Sequence, residues 1–405
     1  MVKRKKILII AYACEPNKTS EPGVGWNLGN HISKTYNTTI LTRANNRSSI
    51  ELEKKSNIVF LYYDLPSFFT FLKKKLPLGT QLYYILWQWG AYFFAAKQIR
   101  NNSLAIDLVH HLNFAISWVS PPNYLLKKPF VWGPIGGGDT VPMRFLKKMR
   151  IKAILQELVY ISINQISRIS IFSFFTRKNA NVVLFRTQSS ENAFPKRKNT
   201  IYQTISETAM TSINHNFKVK NYDKNIKAMC VGRMSYWKGY IYAVKGFHNF
   251  LKAGGTGTLE LFGEGNERDS IKRYINAHNL GSSIFIRGFV NNIEIKRKMV
   301  ESNVLIHPSF REGGSWSIME AMSYGLPVIC LDTSGPKDMV TKKCGMLISL
   351  KSTQSISEQI SDGLLELSGN KEMYLELSSN AQKRILKEYT WNRRREQISQ
   401  VYEML

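Results

Sequence analysis

Five times between residues 226 and 332 a short apolar run recurs: "IKAMCVGRM" (226–234), "TLELFGEG" (258–265), "SIFIRGF" (283–289), "NVLIHPS" (303–309) and "PVICLD" (327–332). Helix-sized stretches separate them. Runs this short, alternating with helices, make a parallel sheet covered on both faces, because parallel neighbours can be joined only by a crossover. The first half has the same pattern in "KILIIAY" (6–12), "TTILTR" (38–43), "NIVFLYY" (57–63), "DLVHHL" (107–112) and "PFVWGP" (129–134). The pattern predicts an α/β protein of two doubly wound, Rossmann-like domains facing each other across a cleft. The boundaries expected are 1–210, 226–385 and a terminal helix over 386–405 that packs back on the first domain. The polar, aperiodic stretch 211–225 joins the two domains. "SEPGVGW" (20–26) reads as a glycine-rich loop leading into a helix "NLGNHISKTY".

Charge sets the choice of partners. The chain of 405 residues is 43% apolar, enough for real cores, yet its formal net charge is +27. Residues 1–210 hold 29 Lys and Arg against 10 Asp and Glu, whereas 211–405 hold 27 against 19. The excess is bunched at Lys3–Lys6, Lys73–Lys75, Lys147–Arg150 and Lys196–Lys198. Such a surface attracts phosphates, of nucleic acid or of an anionic bilayer. Two stretches, 66–97 and 144–175, combine lysines with Phe, Tyr, Ile and Leu, the composition of a helix in a bilayer interface or of one packed on a sheet. No recognition helix, RNA-binding aromatic signature or zinc spacing accompanies the charge, so nucleic acid is not the expected partner. No run reaches the roughly 18 apolar residues of a membrane span, and "KILIIAY" reads as a buried strand rather than a leader. Cys14, Cys230, Cys330 and Cys344 are too dispersed for a metal or redox motif and are expected as buried thiols in a reducing compartment.

The chemistry concentrates in "FREGGSWSIMEAMSYGLPVI" (310–329). A strand ends, a loop passes through Gly313 and Gly314, and a helix is expected from Ser315–Trp316 to Tyr324. Gly325 sits at its C′ position, with Pro327 beyond. The start of that helix offers unpaired N–H groups and the positive end of the dipole, so a diphosphate can rest on the amides of Ser315, Trp316 and Ser317. Glu312 and Glu320 cannot bind phosphate. They can accept hydrogen bonds from hydroxyls on either side of it, Glu320 from a ribose and Glu312 from a sugar. Arg233 and Lys238 follow a strand and can neutralise a diphosphate leaving group. Gly263 and Gly265 lie at the next strand end.

These residues, in this order, resemble the retaining glycosyltransferases of family 4, which have the GT-B fold. The resemblance rests on "EGGSWSIME" with "AMSYGLPVI", preceded by "VGRMSYWKG", "LFGEG" and "IRGFV" over most of 226–340, and more loosely on "EPGVGW", "DLVHHLNF" and "VWGPIGGGD". It implies that Arg233 and Lys238 bind the donor diphosphate, and that Glu312 contacts the transferred sugar and Glu320 the ribose. It also implies that Gly23 and Gly25 close over the donor from the first domain, and that His110 or His111 faces the reacting carbon. The histidines are adjacent here, where the family more often has one residue between them. On a strand they point to opposite faces, and His111 is the one expected at the ligand. Gly314 and Ser315 stand where the family often has Phe-Gly.

The resemblance implies transfer of a sugar from a nucleoside diphosphate donor, with retention, without a metal and without a further cofactor. The acceptor expected is a glycan or lipid-linked glycan of bacterial surface polysaccharide, met at the inner face of the cell membrane by a cytoplasmic, peripheral enzyme. A sugar-nucleotide epimerase of the same fold and a soluble transferase with a small acceptor are the alternatives.

Overall fold

The structure is a computed structural model. It describes residues 4–53, 57–76, 79–114, 117, 119–146, 149–210 and 220–405, the side chains of 167–169 excepted. Lys3, Lys147 and Lys148 of the basic clusters, and 211–219 of the expected join, lie outside the described residues. The chain divides into two compact units. The first comprises residues 1–138, 159–208 and 391–405, and the second 139–158 and 209–390.

The first unit holds seven strands, β1 (Lys6–Ile10), β2 (Asn37–Arg43), β3 (Ile58–Tyr63), β4 (Leu108–His111), β5 (Phe130–Ile135), β6 (Val182–Phe185) and β7 (Ile201–Thr204). They pair in parallel in the order β3-β2-β1-β4-β5-β6-β7. Strands β1, β4, β5 and β6 are buried along almost their whole length, which is why they read as continuous apolar runs. The helix Gly79–Arg100 packs Tyr83, Tyr84, Trp87, Ala91 and Ala95 into this core, so most of the aromatic stretch 66–97 covers the sheet. Its forerunner, Ser67–Lys75, has no buried residue and leaves Phe68 and Phe71 exposed beside Lys73–Lys75.

The second unit holds β8 (Ile226–Val231), β9 (Gly257–Phe262), β10 (Ile284–Gly288), β11 (Val304–His307), β12 (Val328–Leu331) and β13 (Gly345–Ile348). All are parallel, in the order β10-β9-β8-β11-β12-β13. Both orders start from a central strand, wind one way and then the other, and so create the switch point at which doubly wound sheets bind ligands.

Two expectations are corrected. "SEPGVGW" is not a loop: a helix runs over Ser20–Ile32 and contains it. Pro22 stands in the first turn, where its missing N–H costs nothing. A side chain on Gly23 would run into the Lys18 carbonyl, and one on Gly25 into that of Ala13, so the glycines let the helix back onto the preceding loop. The second correction concerns the boundary at 210. Residues 139–158 belong to the second unit, where Val141 and Leu146 join its core and Phe145 meets Phe310 with ring centroids 5.1 Å apart. The terminal helix Trp391–Glu403 belongs to the first unit.

Among the described residues no single helix is long and apolar enough to cross a membrane. One pair, Ile151–Ile166 with Ile171–Asn179, has the length and composition only when taken together, across a 55° bend. The four cysteines are free and buried.

Candidate active site

Four loops at strand ends meet in the second unit. The first follows β8. Gly232 leads to Arg233, and a one-turn helix Tyr236–Lys238 ends on Gly239 in the left-handed region at φ +67°. Gly239 is required there twice over, since a side chain would also strike the Pro308 carbonyl. The second loop follows β9: Gly263 lies against the Gly232 carbonyl and Gly265 against that of Met234, with no room for a Cβ at either. Backbone bonds Met234 N–H to Glu264 (2.9 Å) and Glu267 N–H to Met234 (3.0 Å) lock the two loops together. Gly263 and Gly265 therefore shape the site by close packing.

The third loop follows β11 and carries the acids. Phe310 N–H donates to the Trp237 carbonyl at 2.8 Å, which sets it beside the Lys238 turn. Lys238 and Glu312 form a direct ion pair, and His307 Nε2 lies 3.5 Å from Glu312 Oε2. Burial alone would raise the Glu312 carboxyl, but His307 and the Lys238 charge outweigh it and hold the group down at about 2. Glu312 is thus ionised at neutral pH. It can accept hydroxyl hydrogen bonds and has no proton to give.

The fourth loop, after β12, was not anticipated. Its residues Thr333–Pro336 form an ordinary-looking turn cluster in sequence. In the structure the Glu312 carbonyl accepts from Gly335 N–H (2.9 Å) and from the Ser334 hydroxyl (2.5 Å). A side chain on Gly335 would overlap the Gly313 carbonyl.

The helix over Trp316–Ser323 begins at Ser315, whose hydroxyl accepts from Ile318 N–H. It ends in the expected glycine cap: Gly325 N–H bonds Met322 and Leu326 N–H bonds Ala321, each at 3.0 Å. Among the described residues the amides of Gly313, Gly314, Ser315, Trp316 and Ser317 have no protein acceptor. Five orphan N–H groups at a helix start make an anion site. Glu320, half-buried on this helix, has no hydrogen-bonding or ion-pair partner among the described residues, and its burial raises the carboxyl against the weaker pull of Lys296. Arg233 is exposed and likewise unpaired among the described residues. Lys238 Nζ comes back to 4.0 Å from the point where a side chain on Gly232 would start. The unit thus carries Arg233, Lys238, Glu312 and the amides from Gly313 onward on adjoining loops, with Glu320 on the helix that follows.

Gly23, Gly25, His110 and His111 belong to the first unit. The expectation for the histidines is not met. His110 Nε2 donates to the Gly133 carbonyl and Nδ1 accepts from Tyr402, both at 2.6 Å. His111 Nδ1 accepts from Asn123 (3.0 Å), which leaves Nε2–H to donate to Tyr84 (2.9 Å). Each ring is buried and has both nitrogens engaged, so neither presents an atom to a ligand here. Desolvation lowers His110 to about 4 and, with the neighbouring ring, His111 to about 3.

One functional neighbour escaped the sequence reading. Glu157, fully buried, accepts from Tyr236 (2.8 Å), Arg311 (3.1 Å) and Val141 N–H (2.8 Å). Its standing as the sole acid of the helical stretch Ile151–Ile169 was the available signal.

Comparison with known proteins finds likeness in both sequence and fold. Residues 212–384 match the family of glycosyl transferases group 1. Among curated relatives, the poly(glycerol-phosphate) alpha-glucosyltransferase of Bacillus subtilis is 32% identical over 116 residues, 28% of this chain and 17% of that protein. The chain spans less than half the length of the curated relatives it matches. The likeness to solved structures extends beyond the residues matched by that family. Anabaena HepE in complex with UDP and glucose superposes with a TM-score of 0.59 at 17% identity, covering 99% of this chain and 100% of that one. TarM superposes with a TM-score of 0.65 at 14% identity, covering 99% of each. Identities this low speak for the fold, and the fold is GT-B.

Proposed function

We propose that the protein is a glycosyltransferase that moves a sugar from a nucleoside diphosphate sugar to a hydroxyl of a glycan or lipid-linked glycan. The observation that carries this reading is the set of five orphan amides at the Trp316–Ser323 helix, flanked by Lys238, Arg233 and two carboxylates. The diphosphate rests on the amides. Arg233 and Lys238 take up the charge that develops as the glycosidic bond to phosphate breaks. Glu312, ionised and braced by His307, accepts from the sugar hydroxyls, and Glu320 accepts from the ribose. The donor class is supported by a structural neighbour that holds UDP and glucose, and the glycan acceptor by a relative that glucosylates poly(glycerol phosphate). Retention follows from the family resemblance, with front-face attack and no covalent enzyme intermediate. In this reading the cations and the helix start supply the charge stabilisation that a metal gives elsewhere.

The acceptor is met at an anionic membrane surface, the cytoplasmic face in this reading. The support is the basic excess of residues 1–210 and the apolar side chains left in solvent at Phe68, Phe71, Ile151, Leu155, Ile166, Ile171 and Phe172. Two experiments test the proposal. Lys238→Ala and Glu312→Ala are each expected to lose at least a hundredfold in transfer from a UDP-, GDP- or TDP-sugar panel, roughly the worth of one preorganised charge contact; near-normal transfer by either removes the assignment. Co-sedimentation with phosphatidylglycerol vesicles is expected at low salt and should weaken as salt rises; no binding at low salt removes the membrane part alone.

A further inference from the structure

The side chains that hold a donor must be held themselves, and the structure shows how this is done for Lys238 and Glu312. Their immediate neighbours, Trp237 and Arg311, stack with the guanidinium 4.9 Å from the indole centroid. Tyr236 meets Trp237 edge-on, with centroids 4.8 Å apart. Glu157 closes the ring by accepting from Tyr236 and Arg311 on the same oxygen, Oε2. Its other oxygen accepts from Val141 N–H. The β8 turn and the β11 loop are therefore joined by two side-chain rungs one or two residues apart. The inner rung is Lys238–Glu312. The outer rung is Tyr236–Glu157–Arg311.

The outer rung is anchored from a third direction. Glu157 comes from the helix Ile151–Ile169, whose first turn presses Ile154 onto the core of the second unit. Only a carboxylate fits this position. It must accept from a hydroxyl, a guanidinium and an amide at once, and glutamine would turn one acceptor into a donor. A buried charge with three donors is rigid, because losing any one leaves it under-satisfied.

We propose that Glu157 is a positioning residue for the donor diphosphate: it touches no ligand and sets the spacing of Lys238 and Glu312 by clamping the residues on their flanks. The inference rests on the reading of this site as a diphosphate site, and its test is built so that the two can fail separately. UDP is titrated by calorimetry into the wild type, Glu157→Gln, Tyr236→Phe and Ile154→Ala. Hydrogen exchange is followed in the segments 234–239 and 309–317, with 257–262 as reference. Glu157→Gln is expected to weaken UDP about tenfold, the scale of one lost charge-assisted hydrogen bond, and to speed exchange in the first two segments alone. Tyr236→Phe, which leaves the Glu157–Arg311 pair intact, is expected to act in the same direction by about threefold, and it serves if Glu157→Gln does not fold. Ile154→Ala lowers the melting midpoint without changing UDP affinity. Unchanged UDP affinity and unchanged exchange in Glu157→Gln would overturn the proposal, as would an equal loss of affinity in Ile154→Ala. If the wild type ignores UDP, the donor reading fails, and exchange in 234–239 and 309–317 still decides whether Glu157 positions these loops.

Discussion

Acid should unfasten the first unit through its two adjacent histidines. Burial lowers His110 to about 4 and His111 to about 3 from 6.5, the ordinary value they regain in the unfolded chain. Below 6.5 the unfolded state takes up protons that the folded state refuses, so stability is complete above that value and falls as pH drops toward 3–4. Between pH 7 and pH 5 each ring costs about 2 kcal/mol, and the pair about 4 kcal/mol, a sizeable part of a domain's stability. Native-state hydrogen exchange of segments 108–111 and 130–135, corrected for the intrinsic pH dependence of exchange, measures the loss directly. The pairing of each nitrogen also says how to remove half of it. His111→Gln offers one donor to Tyr84 and one acceptor to Asn123 and cannot titrate, so it should halve the pH slope whatever it does to stability at pH 7. Protection that stays level from pH 7 to 5, or a slope untouched by His111→Gln, would refute the assignment of both rings as neutral and internally bonded.

Two further outcomes follow from the second unit. Glu320→Gln should raise the melting midpoint at pH 7, because it removes a carboxyl whose ionised form is penalised by burial and has no hydrogen-bonding or ion-pair partner among the described residues, while weakening UDP about tenfold or more; a lower midpoint with full affinity would contradict both halves. Gly335→Ala forces a Cβ onto the Gly313 carbonyl and is expected to cost about 2 kcal/mol in denaturant unfolding and to abolish UDP binding; wild-type behaviour in either measurement would show that the two loops do not pack as described.

The fold was legible at most of the strands that burial makes apolar almost throughout. Strands β1 and β5 of the first sheet and β11 and β12 of the second are of this kind, and β8 and β9 were legible although Lys227 and Glu260 interrupt them. The sequence reading passed over β6, β7 and β13, each only four residues long. β7 and β13 lie at the ends of their sheets, where half-exposed residues such as Tyr202 and Met346 satisfy the position and no apolar run is needed. The first two turns of the helix Ser20–Ile32 were hidden for another reason. Glycine and proline punctuate loops on average, yet here Pro22 occupies a first turn and the glycines answer to backbone carbonyls that local sequence cannot reveal.

For the site, what matters is how far apart the partners lie in sequence. The orphan amides, Glu312 and Glu320 fall within one loop and one helix, so spacing alone displays them. Glu157 reaches partners 79 and 154 residues away, and no local pattern announces that. The histidines show the converse failure. Strand alternation correctly sends adjacent side chains to opposite faces, but it does not say that Tyr84 and Asn123 engage one ring and Tyr402 and Gly133 the other. A residue can serve a ligand only with valence left over after folding. By that criterion Arg233, Glu320 and the 313–317 amides qualify outright, Lys238 and Glu312 qualify by exchanging one another for substrate, and His110 and His111 do not.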